Sequence, residues 1–343
     1  DALRARGNRP MSQADGLLAE AGRLFFPMDL DIRNRRFLFR RTSIEALKSN
    51  PFLDNRFVDA DDAVQPVDVD ALQQLDLTPS PLRGYLFHTS FCCSTLLARL
   101  LDFPGRSLAL KEPLILRRLS DAALNGAHNP ELTAAAVKLL FRDVDGGSAI
   151  LVKPTHVALN IAGELLACTP SANALLITST LENFLISNIK KSEETQRNVP
   201  ELVERFMSAS DLSTRLPPEA FEPPSLLAGV ALQWHAQQQL VHDLLNGPAG
   251  KSVYLIQEDE LLQAPADTLR TGLDWLGWRI PDDEIDAQIL RVMTRHAKSA
   301  GREYSLQEKN HETDLLKNKY SEELLQAMQW SNRFLSPYLR THP

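Results

Sequence analysis

Between Gly84 and Thr178 short, nearly continuous apolar runs alternate with longer stretches in which apolar residues recur at helical spacing. Tyr85 to Phe87, Leu108 to Lys111, Ala149 to Lys153 (AILVK) and Ala172 to Thr178 (ANALLIT) are runs of the first kind, and Ser252 to Gln257 (SVYLIQ) adds another. Runs that are apolar on both faces and separated by helices predict an α/β architecture: a parallel sheet of about five strands between two layers of helices. Ligands of such a sheet gather at the carboxyl ends of its strands.

The helical spacing predicts helices from Ser94 onward, with Leu96, Leu97, Leu100 and Leu101 on one face and Pro104-Gly105 as a stop. It predicts others over Leu114 to Leu119, Ala158 to Ala167, the segment through Lys191, Leu226 to Leu245, Pro265 to Leu276 and Asp282 to Ala297. Ala14 to Leu24 also repeats at helical spacing, and Arg36 to Arg41 (RFLFRR) reads as a strand. Ser192 to Pro224, with Pro200, Pro217, Pro218, Pro223 and Pro224, reads as an irregular excursion suited to a substrate lid or a variable insert. The tail from Ser321 to Leu335 places Leu324, Leu325, Met328 and Phe334 on one stripe, an apolar face for the core or for a second copy of the chain. The expected organisation is a lead-in over 1–80, an α/β core over 81–300 with its insert near 192–224, and a helical tail over 301–343.

With 343 residues and 43% hydrophobic content, the chain can bury a large core. No run reaches transmembrane length and no charged-then-apolar leader is present, so a cytoplasmic protein without a membrane partner is expected, with Met11 a candidate native start. A net charge of -7 argues against bulk attraction to nucleic acid. Of 3 cysteines, Cys92 and Cys93 are adjacent, which suits a reducing compartment better than a disulfide framework. No Cys/His spacing completes a tetrahedral zinc set, so no metal is expected.

Gly84 to Gly105, GYLFHTSFCCSTLLARLLDFPG, concentrates the candidate chemistry. A strand, a polar turn from His88 to Cys93 and a helix start bring unpaired backbone N–H groups into one concavity, which is an anion site; Ser94 and Thr95 add hydroxyl donors. An ordinary strand-to-helix crossover with two buried cysteines explains the same residues. A nucleotide triphosphatase would need a glycine-rich turn followed by lysine, and this turn has neither. Gly250-Lys251-Ser252 is a decoy, because Leu245 stands where that motif's first glycine belongs and the triplet precedes a strand.

HTSFCCSTLLARLLDFPG resembles the sulfotransferase loop that wraps a 5′-phosphosulfate, usually a basic residue followed by Ser-Gly-Thr-Thr-Leu. Lys111 to Leu119 (KEPLILRRL) is similar to the glutamate-led segment of tyrosylprotein and related sulfotransferases, and LVKP at Leu151 to Pro154 to the strand whose lysine faces the sulfonate. ITSTLENFLISNIKK is similar to the 3′-phosphate segment ending in a serine, here Ser187, and VYLIQEDELLQAPADTLRTGLDWLGW to the family's Tyr-Glu-Asp-Leu strand and following helix. The segments keep the family's order, so the chain resembles the sulfotransferase superfamily, with its phosphate-loop-type fold, over most of Gly84 to Ala297.

The resemblance implies transfer of a sulfonyl group from 3′-phosphoadenosine 5′-phosphosulfate (PAPS) to a hydroxyl or amine of a small-molecule or peptide acceptor, without a metal. It sets Ser90, Cys92, Cys93, Ser94 and Thr95 around the phosphosulfate, and Ser179 and Ser187 toward the 3′-phosphate. Arg291, Arg295 and Lys298 form a basic stripe directed at that phosphate or at solvent. Sulfonate transfer spreads charge over equatorial oxygens and needs positioning and cationic stabilisation. Glu112, before Pro113 at a strand end, is the expected general base, and His88 a further acid–base candidate. Lys153 closes an apolar strand, where its ammonium should face an anion. The structural alternatives are a capping carboxylate for Glu112, a snorkelling lysine for Lys153, plain helix caps for Ser94 and Thr95, and structural histidines at His88, His156 and His235.

Three positions depart from the family pattern: Phe91 replaces the loop's basic residue, Cys93 its glycine, and Ser179 the arginine upstream of Ser187. Either basic groups such as His88, Lys111, Lys153, Arg295 and Lys298 replace the missing cations, or the donor site is altered. The rival readings are a nucleoside-triphosphate phosphotransferase and a non-catalytic binding module on the same fold.

Overall fold

The apolar runs pair with one another because a segment buried on both faces must find backbone partners on both edges. The computed structural model describes residues 24–57, 63–144, 146–293 and 306–339. Its strands are β1 (Leu24–Asp31), β2 (Arg36–Thr42), β3 (Gln65–Asp68), β4 (Arg83–His88), β5 (Ser107–Lys111), β6 (Ala149–Lys153), β7 (Asn173–Thr178) and β8 (Val253–Gln257). The last five form one parallel sheet in the order β5-β6-β4-β7-β8. Successive side chains enter opposite apolar layers. Tyr85, Phe87, Leu108, Leu110, Ile150, Val152 and Leu176 pack on one face, and Leu86, Ala109, Leu151, Leu175 and Ile177 on the other. Thus the chain is α/β, with helices such as Ser94–Leu100, Leu114–Leu124, Leu226–Asn246 and Pro265–Leu276 flanking the sheet.

The first half of the insert is helical where an irregular excursion is expected, while the rest, to Pro224, is irregular apart from the short 3₁₀ turns Leu212–Thr214 and Pro218–Phe221. Glu193–Arg197 and Val199–Ser208 are helices, and Pro200 starts the second one instead of breaking it, since a first-turn residue has no intrahelical use for the N–H that proline lacks. Val199, Phe206 and Met207 bury its apolar side. The stretch expected as one helix from Ala158 begins as a 3₁₀ turn at His156–Ile161 and becomes α only at Ala162–Ala167. In the tail helix Ser321–Phe334, Leu324 is buried but Leu325 faces solvent, because adjacent helical residues point about 100° apart. Met328 and Phe334 pack partly on the core.

Elements without a distinctive pattern are the small antiparallel sheet β1-β2-β3, in which only β2 carries a clear strand signal, and the helices Pro130–Leu140 and Leu306–Lys319. The decoy triplet is a 3₁₀ turn before β8, and its glycine has a packing cause: a Cβ on Gly250 would lie 1.8 Å from the Leu245 carbonyl oxygen. Met11, most of the Ala14 to Leu24 segment, Arg295, Lys298 and the end of the Asp282 helix beyond Met293 lie outside the described residues. Among the described residues no helix is long and apolar enough to cross a membrane.

Candidate active site

The carboxyl ends of β4, β5 and β6 bring three of the expected residues together. Register pairs Lys111 with Lys153, and one residue later the Glu112 N–H donates to the Lys153 carbonyl at 2.7 Å. The chain turns sharply there, with Glu112 at φ 56, a left-handed conformation that costs a non-glycine residue about 1–3 kcal/mol. The turn aims the Glu112 carboxylate at Lys153, whose Nζ donates to Oε1 at 2.6 Å. Lys153 is 1% and Glu112 12% exposed at the side chain. The His88 Nε2 stands 3.9 Å from the same oxygen, and the Arg56 guanidinium 3.7 Å from Oε2. Arg56 is held by Asp54 and lies 3.6 Å over the Phe52 ring.

Burial alone would raise the Glu112 pKa, but the positive charge of Lys153 and its hydrogen bond outweigh it and hold the carboxyl down at about 2. Burial and the Lys153 charge push His88 well below its ordinary value. Its two nitrogens each lie 2.9 Å from a carbonyl oxygen, of Thr89 and of Pro154, so the single N–H of the neutral ring serves one of them. His156, 6.1 Å from His88 between ring centres, is held at about 4 by burial, and its Nε2 has no partner among the described residues.

The loop after β4 carries two further left-handed residues, Phe91 at φ 55 and Cys93 at φ 60. Position 93 therefore has the backbone of the glycine it is expected to replace, now bearing a side chain whose thiol donates to Glu258 Oε1 at 3.0 Å. The Cys92 thiol points inward to the Thr89 carbonyl at 3.0 Å, and burial pushes it up to about 11, so this side chain is a small inert filler. Ser90 is occupied within the protein: its N–H donates to Gln237 Oε1 at 2.7 Å and its hydroxyl to the same atom at 3.1 Å. Ser94 and Thr95 are buried in the first turn of the Ser94–Leu100 helix. Gln238 Nε2 donates to the Thr178 hydroxyl at 2.6 Å, which lies 3.2 Å from the Thr89 hydroxyl.

Not every expected residue joins this group. Lys111 points away, donating to the Lys48 carbonyl at 2.6 Å, and burial brings it down to about 8; it is a structural lysine and not a donor-site cation. Arg291 bonds Gln288 on its own helix and the Asp102 carbonyl. His235 bonds Ser331 of the tail helix at 2.8 Å, away from the sheet edge. Ser179 lies just beyond β7 with its hydroxyl buried and without a partner among the described residues, while its carbonyl accepts from Trp234 Nε1 at 3.0 Å. Ser187 is half-buried on the helix Leu181–Ile189.

Three residues at the site escape the sequence reading. Lys191 holds its ammonium 4.9 Å over the ring of Phe91, so a cation reaches the loop from another element at the place where the basic residue is missing. Its signal was the Lys-Lys pair that ends ITSTLENFLISNIKK. Gln237 sits in a run of three glutamines that a helix buries against the loop. Arg56 arrives from the lead-in with nothing local to mark it.

No family model and no curated protein matches the chain. Among solved structures it is similar to a sulfotransferase domain from the curacin biosynthetic pathway, with 12% identity and a TM-score of 0.40 over 75% of this chain and 98% of that one. It is similar also to a sulfotransferase from Alicyclobacillus acidocaldarius, with 13% identity and a TM-score of 0.39 over 75% and 98%. A mouse sulfotransferase complexed with PAP gives 11% identity and a TM-score of 0.35 over 77% and 92%. Overlap of this degree leaves the chemistry of this chain to its own residues.

Proposed function

We propose that the chain is a sulfotransferase that moves a sulfonyl group from PAPS to a hydroxyl or amine. The observation that carries this reading is the buried Lys153–Glu112 pair, with His88 beside it, at the sheet edge next to the loop after β4. A cation and a carboxylate 2.6 Å apart, both desolvated, are matched to a reaction that develops charge on sulfonate oxygens and must remove one proton.

In this reading the acceptor oxygen or nitrogen attacks the sulfur, and the bond from sulfur to the bridging phosphate oxygen breaks, its electron pair leaving with the phosphate. The acceptor proton passes to a Glu112 carboxylate oxygen. Lys153 turns part of its charge to the sulfonate, which loosens the resting pair and raises the proton affinity of Glu112 as the proton is released. Lys191 compensates the loop for Phe91, and the Ser94 and Thr95 hydroxyls serve the 5′ side. Ser179 offers a hydroxyl where arginine is expected, so the 3′-phosphate side is the poorer fit.

Calorimetric titration with adenosine 3′,5′-bisphosphate, compared with ATP plus Mg²⁺, tests the proposal. Micromolar binding of the bisphosphate, weakened by Lys153→Ala, is the expected result. Binding of Mg-ATP alone, or of neither, would reject it.

A further inference from the structure

The turn that carries Glu112 is framed by the lead-in. Leu53, fully buried, donates its N–H to the Lys111 carbonyl at 2.7 Å and accepts from the Leu114 N–H at 3.0 Å, so residues on both sides of Glu112 are tied to one residue of the lead-in loop. Asp54 then sets a tight turn, its carboxylate accepting from the Arg56 N–H at 2.9 Å and from the Arg56 Nε at 2.8 Å. The Phe52 ring lies 3.6 Å from the guanidinium on one face. These contacts hold the Arg56 Nη2 3.7 Å from Glu112 Oε2.

Folding does not account for this placement. The Arg56 side chain is 57% exposed, and an ion pair at such exposure adds little to stability. Asp54 engages the Nε and Nη2 edge, which leaves Nη1 with no partner among the described residues. Lys153 holds Glu112 Oε1, and His88 also stands closest to that oxygen, so Oε2 is the one left to meet an acceptor. An atom in hydrogen-bond contact with Oε2, about 2.8 Å away, is no more than about 6.5 Å from the Arg56 guanidinium. Farther out positive charge is again in surplus: Arg117 and Arg205 share the single carboxylate of Asp121, and the Arg205 Nε is buried with no partner among the described residues. Their charges reach the His156 ring, as that of Glu112 does.

We infer that Arg56 determines specificity at this site and that the acceptor is a carboxylate-bearing hydroxy or amino compound. Its carboxylate sits on the guanidinium while its hydroxyl or amine meets Glu112 Oε2. A guanidinium suits a planar two-oxygen anion, which it engages through parallel N–H groups. The inference rests on the proposed function in making this ligand the sulfonate acceptor, and it names the class of acceptor.

The test is calorimetric titration of the full chain with 3-hydroxybenzoate and with its uncharged isostere 3-hydroxybenzamide, each with and without adenosine 3′,5′-bisphosphate. The acid should bind at least tenfold more tightly than the amide. Arg56→Gln, a change at an exposed side chain, should abolish that preference by weakening the acid alone, and Arg56→Lys should keep part of it. Glu112→Gln should tighten the acid about threefold, because a neighbouring carboxylate no longer repels it, and leave the amide within twofold. No binding of the acid, equal affinities for the two compounds, or a preference that survives Arg56→Gln overturns the inference. A Glu112→Gln variant that binds the acid no more tightly places the anion away from Oε2 and overturns it as well. Loss of bisphosphate binding with the Arg56-dependent preference retained would refute the proposed function, whereas bisphosphate binding without that preference would refute this inference alone.

Discussion

Glu112 and Lys153 are joined twice, by a backbone hydrogen bond of 2.7 Å and by a side-chain ion pair of 2.6 Å, although 41 positions separate them in sequence. Each charge is tolerated in the interior because the other is there, and removing one strands its partner. Lys153→Met should therefore destabilise the fold by about 3 kcal/mol in urea unfolding. The double change Lys153→Met with Glu112→Leu should recover a measurable part of that loss. A double variant no more stable than the single one would show that the pair is not coupled.

Glu112→Gln keeps the size of the side chain and a hydrogen-bond acceptor for Lys153 but removes the proton acceptor. Turnover should fall about 10²- to 10⁴-fold, the usual worth of a general base, with bisphosphate affinity changed only slightly. Retained turnover would take the base role from Glu112.

Stability should fall in two stages on acidification. Burial holds His156 and His235 at about 4, below the ordinary 6.5, so the unfolded chain takes up their protons first and stability drops as the pH goes from about 6.5 to 4. Glu112, held at about 2 against 4.5, adds a second loss between those values. Urea unfolding across this range should show both stages, and His156→Phe should flatten the first by an amount on the order of 3 kcal/mol while leaving the second. A profile unchanged by His156→Phe would mean that the ring takes up protons freely in the fold.

Lys191→Ala removes the cation above Phe91. Its affinity for adenosine 3′,5′-bisphosphate, measured by calorimetry, should fall about tenfold, close to 1.4 kcal/mol. Returning a basic residue to the loop as Phe91→Arg in the Lys191→Ala background should restore part of that affinity, unless the loop cation contributes nothing to binding.

Gly229→Ala, in the first turn of the Leu226–Asn246 helix, should raise the stability of the protein by about 0.4–1 kcal/mol, since the added methyl meets only ordinary contacts and the unfolded chain loses freedom. Thermal unfolding reads this directly. A loss of stability would indicate that the glycine is required by packing.

The sheet was legible because β4 to β8 are apolar on both faces, which leaves few alternatives to a covered parallel sheet. Glu112, Lys153 and His88 were legible for a related reason: polar residues closing apolar strands come together wherever parallel strands end. The lead-in was not, since β1 and β3 are held by neighbours and not by alternation, and Arg56 reaches the site only through that packing. Pro200 misled because a proline's effect depends on its position in a helical turn, and it stands at a start, whereas Pro217, Pro218, Pro223 and Pro224 do lie outside any α-helix. Gln237 and Lys191 act across long sequence separations, and composition near the loop could not announce them. Cys93 stood between the two cases: its replacement of glycine was visible, but only the backbone angle shows that the glycine-like conformation survived the change.

That survival has a consequence for any attempt to harden the protein against heat. Phe91, Cys93 and Glu112 all hold left-handed backbone at one edge of the sheet, and glycine at any of them would release part of that cost. Selection for thermal endurance alone would be drawn to these positions and at Glu112 would remove the carboxylate in gaining it, so a heat-tolerant lineage must be screened for ligand binding at every round.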